Sequence, residues 1–229
     1  MSESSSPEDL RAREVLDEVL AVVPTAILIG GWASWTRTGG AMSHDIDLIV
    51  GYPELDEIRE HVTDLSQSRH VGGVKWRGSW DGIHLDLYLP HQSLLGARLR
   101  LRVEHLARHT DTIDGRRLLS VGAHITTKWA AMLDRPRSPR GDKDRAELLK
   151  LLKQPGAAAA ADILREASAL TPEAVDVAIR SGFELLAAAP GVTRAERQAL
   201  RRMSIAWTTH AAAQPASPDP GLDRSSTER

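Results

Sequence analysis

The sequence predicts an α+β fold, in which strands and helices alternate in the first half of the chain and helices alone form the second. Two observations predict the mixed half: short apolar runs at 25–30 and 45–51 are typical of buried strands, and 70–89 has the pattern of a hairpin. A third predicts the helical half, because helical periodicity begins at Val121 and continues to residue 212.

Turn residues and apolar spacing divide the chain further. Proline and glycine separate the later helices, and Asp81-Gly82 and Asp114-Gly115 are strong turn signals. In chain order, the predicted elements of the first half are a helix at 8–23, a strand at 25–30, a helix from Trp32, a strand at 45–51, a helix at 53–67 and a hairpin at 70–89. Those of the second half are helices at 121–134, 142–153, 157–169, 172–188 and 193–212.

Three units are therefore expected. Residues 1–120 form the mixed lobe and residues 121–212 the helical lobe. Residues 213–229, rich in Ser, Pro, Asp and Arg, lack a core pattern and are predicted to be a disordered tail.

A glycine pair follows the first strand. Gly30-Gly31 allows the backbone to turn sharply from the strand into the helix that contains Trp32. Exposed amides at such a turn can hold a phosphate group. A lone glycine pair is usually only a turn, so this signal depends on its neighbours.

Two carboxylates stand on the next strand. Because side chains alternate along a strand, Asp45 and Asp47 share one face and Ile46 and Leu48 the other. Two carboxylates about 4 Å apart repel by roughly 4 kcal/mol at an effective dielectric of 20, and a divalent cation removes that cost. Oxygen ligands suit Mg²⁺ or Mn²⁺.

A third carboxylate, Asp86, lies on a strand with the same alternation, since Leu85 and Leu87 form its apolar face. If this strand is the neighbour of the strand at 45–51, Asp86 joins Asp45 and Asp47. Three such carboxylates can hold two metal ions for in-line displacement at phosphorus. The sequence does not establish that the strands are neighbours.

Together these residues resemble the motif of the DNA polymerase β-like nucleotidyltransferase superfamily. That motif is a hydrophobic residue with Gly-Gly, then Asp-h-Asp-h and a later h-Asp-h, and it matches Ile29-Gly30-Gly31, Asp45–Leu48 and Leu85-Asp86-Leu87. Within the superfamily, residues 20–150 are most similar to the AbiEii/AbiGii-type toxins, including the MenT-type enzymes. The resemblance implies a small mixed sheet flanked by helices, followed by a helical lobe.

The resemblance also implies roles for further residues. Ser43, just before the acids, would bind a phosphate oxygen, and Ser34 is a further candidate of that kind. Lys128 would meet the triphosphate. Of the later pair Lys143-Asp144, Lys143 would bind the nucleotide and Asp144 would be a catalytic residue. Each of these residues also has an ordinary structural interpretation. The serine would form a turn, Lys128 would lay its aliphatic stem on the apolar side of its helix, and Asp144 would cap a helix.

Composition narrows the function classes. The chain has no cysteine, which excludes disulfides, thiol catalysis and cysteine-ligated zinc. It contains no apolar run of about eighteen residues and begins with a polar, acidic segment, so we expect a cytoplasmic protein without a membrane partner.

Charge is uneven along the chain. Residues 98–145 hold twelve Lys and Arg against six Asp and Glu, whereas residues 1–97 hold seven against fifteen. This basic stretch suits a nucleoside triphosphate or an RNA backbone, or else forms a solvated surface paired with the acidic first third. Nine of its arginines are Arg98, Arg100, Arg102, Arg108, Arg116, Arg117, Arg135, Arg137 and Arg140.

The resulting prediction is a metal-dependent nucleotidyltransferase that moves a nucleoside monophosphate from an NTP to an acceptor hydroxyl and releases pyrophosphate. Resemblance to the toxins implies a tRNA 3′ end or another RNA as acceptor and a cognate antitoxin as partner. Two alternatives remain open: a nucleotidyltransferase for aminoglycoside or lincosamide antibiotics, and a non-catalytic interaction module. An acidic acceptor pocket would favour the antibiotic enzyme, and a continuous basic strip would favour the RNA enzyme.

Overall fold

The computed structural model describes residues 6–39 and 42–209, so the predicted tail at 213–229 lies outside the described residues. The helices are α1 (Pro7–Val22), α2 (Gly30–Thr38), α3 (Tyr52–Arg59), α4 (Val103–Leu106), α5 (Val121–Asp134), α6 (Pro139–Leu151), α7 (Ala160–Ala167), α8 (Pro172–Ala187) and α9 (Arg194–Thr209). The strands are β1 (Ile27–Ile29), β2 (Asp45–Ile49), β3 (Thr63–His70), β4 (Gly73–Trp80), β5 (Ile83–Tyr88), β6 (Leu94–Leu95), β7 (Leu101–Arg102), β8 (Thr110–Ile113) and β9 (Arg116–Leu119).

A seven-stranded mixed sheet organises the molecule. Its strand order is β3-β4-β5-β2-β1-β9-β8, with parallel pairs at β2–β5 and β1–β9 and antiparallel pairs elsewhere. β6 and β7 form a separate two-stranded sheet. The predicted α+β class, a mixed sheet flanked by helices with a helical C-terminal region, is confirmed.

Each face of the large sheet contributes to its own hydrophobic core. Ile46 and Leu48 of β2 belong to the core that α1 and α3 cover, whereas Ile49 of β2 belongs to the core that the later helices cover. β5 divides in the same way, with Leu87 in the first core and Tyr88 in the second. By alternation, Asp47 and Asp86 are directed to the second face, the one turned towards α5 and α6.

Aromatic side chains fill the helical part of the second core. Trp129 of α5 lies 4.9 Å from Phe183 of α8 and 5.3 Å from Trp207 of α9, measured between ring centroids. α8 approaches α5 closely because Gly182 has no Cβ, which would overlap the indole of Trp129. The core spans both predicted lobes, so the boundary at residue 120 remains a prediction.

One predicted element is wrong in part. The helix expected over 53–67 ends at Arg59, and residues 63–70 form β3. Val62 and Leu65, whose spacing suits a helix, pack instead against Gly78 of β4, where a Cβ atom would overlap Val62. Backbone hydrogen bonding to β4 outweighs the weak helical propensity of this polar segment.

The hairpin turns match the sequence prediction. Asp81 and Gly82 have φ values of 47° and 82°, and Asp114 and Gly115 have values of 50° and 75°. All four residues therefore have the left-handed conformation that is typical of Asp-Gly turns. In the described ranges, no helix has the length and apolar character needed to cross a bilayer.

Candidate active site

The three aspartates lie on neighbouring strands. β2 and β5 pair in parallel, and their register places Asp47 opposite Asp86 and Asp45 opposite His84. Asp45 is exposed at the start of β2, whereas Asp47 is partly buried one alternation further along. The topology therefore brings three carboxylates to one face of the sheet.

The carboxylate of Asp47 has no hydrogen-bond or ion-pair partner among the described residues. Burial, together with the negative charges of Asp86 and Asp45, raises the pKa of Asp47 to about 6, although Lys128 and Lys75 act in the opposite direction. A carboxylate left in this state accommodates a cation readily.

Asp86 has the opposite environment. Lys75 Nζ donates to its Oδ2 at 2.6 Å and Arg77 Nε donates to its Oδ1 at 2.8 Å. Burial raises the pKa of Asp86, but these bonds outweigh burial and hold the pKa below its usual range. Sequence reasoning missed both cations, although their alternation on β4 places them on one face.

The glycine pair lies directly beside the acids. Gly30 begins α2 with φ 68°, and a Cβ atom there would overlap the carboxylate of Asp47. A Cβ atom on Gly31 would lie 2.7 Å from Ser43 Oγ. No described side chain caps the first turn of α2, so its amides remain suited to an anion. Gly30, Gly31, Ser43 and Asp47 thus form one surface.

Lys128 extends from α5 towards this surface but is held by α6. Its Nζ lies 2.5 Å from Glu147 Oε2 and 3.6 Å from Asp144 Oδ1, and its side chain is 9% exposed. Asp144 is buried and also accepts from Arg135 Nε at 2.7 Å. Lys143 lies at the outside of this group, 3.8 Å from Glu147 Oε1.

Ser34 belongs to the same buried network. Its hydroxyl donates to Glu147 Oε2 at 2.9 Å and lies 3.1 Å from His124 Nε2. Burial, followed by the charge of Lys128, lowers the pKa of His124 to about 3, so this histidine is neutral at physiological pH. Sequence reasoning missed His124 and Glu147, which no motif marks.

The basic stretch divides between paired and free arginines. Arg116 pairs with Asp17 of the acidic first third, Arg108 with Glu166 and Arg135 with Asp144. The exposed arginines without an ion pair to any described residue are Arg98, Arg100, Arg117, Arg137 and Arg140. The acidic residues therefore neutralise the basic stretch only in part.

The acids fit a divalent cation in part. Asp45 and Asp47 have no described partner and offer oxygen ligands of the kind that Mg²⁺ and Mn²⁺ bind. Asp86 does not fit as it stands, because Lys75 and Arg77 occupy both its oxygens. Accordingly, residues 6–39 and 42–209 contain no group of three His, Asp or Glu side chains placed to hold a metal ion.

Two surface pockets lie away from the acids. One of about 420 Å³ is lined by Arg13, Trp35, Thr36, Gly39, Asp114 and Arg116, and another of about 380 Å³ by Arg194, Arg197, Gln198 and Arg201. Neither includes an acid of the candidate site. The shape of the surface alone therefore does not identify the site, which is recognised by its chemistry.

Comparison with known proteins gives a loose structural likeness. No family model matches the sequence, and no curated protein shows significant similarity to it. Among solved structures, JHP933 from Helicobacter pylori is 14% identical with a TM-score of 0.47, covering 91% of this chain and 95% of that one. A protein of Thermotoga maritima, provisionally named a nucleotidyltransferase, is 18% identical with a TM-score of 0.42, covering 64% and 96%. Both TM-scores lie below 0.5, and they assign no family to the chain.

Proposed function

We propose that the protein is a nucleotidyltransferase that transfers a nucleoside monophosphate from an NTP to an acceptor hydroxyl. The observation that carries the proposal is the carboxylate of Asp47, which has no partner among the described residues and lies against Gly30 at the start of α2, opposite Asp86. The motif resemblance to the DNA polymerase β-like superfamily supports the same function.

Each group has a proposed task. Asp45 and Asp47 would hold Mg²⁺ or Mn²⁺, and the cation would offset negative charge on the phosphate oxygens of the NTP. The first amides of α2, with Ser43, bind phosphate oxygens. Lys128 lies near enough to lower the pKa of Asp47, so it contributes positive charge at the triphosphate.

In the reaction, the acceptor oxygen forms a bond to the α-phosphorus while the bond from that phosphorus to the bridging oxygen of pyrophosphate breaks. Asp86 takes the proton of the attacking hydroxyl. Asp144 and Glu147 hold Lys128 in position through ion pairs, and Lys143 adds positive charge beside them. Ser34 links α2 to this group through Glu147.

The acceptor is proposed to be a tRNA 3′ end, and the protein to be the toxin of a toxin–antitoxin pair. The exposed arginines Arg98, Arg100, Arg137 and Arg140 support a polyanionic acceptor, since none is neutralised by a described acid. A cognate antitoxin follows from the toxin resemblance alone.

Label transfer tests the proposal. Purified protein is incubated with Mg²⁺ and each α-labelled NTP, with total tRNA and separately with aminoglycosides and lincosamides. We expect label on tRNA for the wild type and at least a hundredfold less for Asp47→Asn, by the usual cost of removing a group that stabilises the transition state. Asp64→Asn, at an exposed position of β3, is the matched control and should transfer normally.

Other outcomes discriminate among the alternatives. Label on an antibiotic instead of tRNA would identify the drug-modifying enzyme. Equal transfer by Asp47→Asn and wild type would refute the mechanism. Absence of any NTP binding in the presence of Mg²⁺ would leave the non-catalytic module.

A further inference from the structure

Two cationic side chains of β4, Lys75 and Arg77, form ion pairs with Asp86, the proposed general base. The antiparallel register of β4 and β5 places Arg77 opposite Asp86, and Lys75 lies two residues away on the same face. Lys75 is nearly buried, with 7% of its side chain exposed, whereas the side chain of Arg77 is 60% exposed. One cation is therefore enclosed within the site and the other stands at its edge.

The charges on this face are distributed unevenly. Asp86 accepts bonds from both Lys75 and Arg77, while Asp47, its neighbour on the other side, has no described partner. Both cations thus converge on one carboxylate, whereas Asp47 feels the charge of Lys75 without a direct bond. Such a pair of converging cations suits an anion with more than one oxygen to offer.

The two cations differ in how far they depend on Asp86. Arg77 is mostly in solvent, so its ion pair with Asp86 contributes little to folding. Lys75 has a second neighbour, the ring of Tyr88, whose centroid lies 5.8 Å from Nζ. A buried lysine that remains charged needs an anionic partner, and a phosphate oxygen would serve as well as a carboxylate oxygen.

We propose that Lys75 and Arg77 are phosphate-binding residues for the nucleotide, and that Asp86 holds them in place until the nucleotide arrives. The inference rests on the proposed nucleotidyltransferase function. Phosphate oxygens replace the Asp86 carboxylate as acceptors of the Lys75 and Arg77 hydrogen bonds, and no covalent bond changes. The exchange frees Asp86 to accept the proton of the attacking hydroxyl, so the base becomes available only when the nucleotide is bound.

The placeholder role predicts an opposite effect for the two sides of the ion pair. Asp86→Asn removes the competing negative charge and should tighten nucleotide binding about threefold to tenfold, even though it abolishes transfer. Lys75→Gln removes a phosphate ligand and should weaken binding about tenfold or more, and Arg77→Gln should weaken it less. Lys75→Arg keeps the charge and should retain most of the affinity.

Calorimetry with the α,β-methylene analogue of the preferred NTP, which cannot release pyrophosphate, measures these affinities without turnover. Titrations in Mg²⁺ and in EDTA separate the contribution of the side chains from that of the cation. Arg69→Gln, an exposed position on the neighbouring strand β3, is the control for the loss of one positive charge and should bind like the wild type. Thermal unfolding identifies a variant that has lost its fold, and the mostly exposed Arg77→Gln then carries the test in place of Lys75→Gln.

The results decide between the two proposals. If wild type binds the analogue but Asp86→Asn binds it no better, or Lys75→Gln and Arg77→Gln bind it no worse, the placeholder role is overturned and the proposed function stands. If wild type binds no nucleotide with or without Mg²⁺, both fall together. Tighter binding by Asp86→Asn with weaker binding by the β4 variants establishes the exchange.

Discussion

At the scale of single residues, Asp47 is where stability and the proposed function conflict. Its ionised form gains no hydrogen bond from a described residue and lies near Asp86 and Asp45. Because its pKa rises from 3.8 to about 6 on folding, the folded state disfavours the charge. Selection for stability alone would not place an aspartate here. Strongly shifted pKa values of this kind are typical of functional positions.

Asp47→Asn should therefore stabilise the metal-free protein at neutral pH. Below pH about 4, Asp47 is protonated in both states and costs no stability. As the pH rises through about 6, ionisation of Asp47 lowers the free energy of unfolding, and this loss is complete at pH 7.5. The shift corresponds to at most ~3 kcal/mol of unfolding free energy. Urea unfolding in EDTA at pH 5 and 7.5 measures it, with Asp64→Asn, at an exposed position of β3, as control. Equal stability of Asp47→Asn and wild type at pH 7.5 would contradict the expectation.

Gly30 fixes the distance between α2 and Asp47. Gly30→Ala should lower stability by more than the ~1–2 kcal/mol that a left-handed alanine costs, because the new Cβ also displaces the carboxylate of Asp47. Gly115→Ala is the control, since Gly115 has φ 75° but no described atom within 4 Å of the place that a Cβ would take. The difference between the two variants in unfolding free energy isolates the overlap. If both lose the same amount, Asp47 does not press against Gly30.

At the scale of elements, the ion pair of Lys128 and Glu147 fastens α5 to α6. Both side chains are mostly buried, with 9% and 13% exposed, so each neutralises the other out of water. Lys128→Met should cost about 3–5 kcal/mol because it leaves Glu147 and Asp144 without their common cation. The double variant Lys128→Met, Glu147→Leu should recover part of that loss.

A double-mutant cycle in urea checks this coupling. Lys150→Met is the control for the general effect of removing a lysine. Lys150 is exposed on α6, the helix that also carries Glu147, so its replacement should change stability little. Purely additive losses from the two single changes would show that the pair is not coupled. Transfer activity should be absent from both Lys128 variants, whether or not stability is restored.

The elements also show what sequence can and cannot predict. The alternation that separates Asp47 from Ile46 and Leu48 is a local property, and so is the Asp81-Gly82 turn, so both were predictable. Residues 63–67 were predicted wrongly as helix, because their strand conformation depends on hydrogen bonds to β4, which no local pattern reveals.

The site was predictable only where it forms a motif. Asp45, Asp47 and Asp86 stand in a recognisable order, and their strands are neighbours in the fold. Lys75 and Glu147 reach the same region through pairing and packing, from positions that look like ordinary surface charges in the sequence. Their roles depend on which distant segments pair and pack together, and a local sequence pattern does not predict that pairing.

At the scale of the whole molecule, the sheet separates two cores, and the candidate site lies on the side shared by both predicted lobes. Ile27, Ile29 and Ile49 of the sheet belong to the same core as Trp129 and Leu164 of the helices. The acids are directed to that side too, so Lys128 of α5 can influence Asp47 of β2. The helices therefore complete the site as well as the core.

A fragment of residues 1–120 should consequently fail to fold alone. It would expose the apolar face formed by Ile27, Ile29, Ile49 and Tyr88, which the helices cover in the full chain, and large exposed apolar patches cause association. We expect the purified fragment to aggregate or to unfold without a cooperative transition, and co-expression with residues 121–212 as a separate chain to restore a soluble complex. Size-exclusion chromatography and thermal unfolding measure both. Cooperative unfolding of a monomeric 1–120 fragment would show instead that the mixed lobe is an independent domain, because its second face would then be stable without the helices.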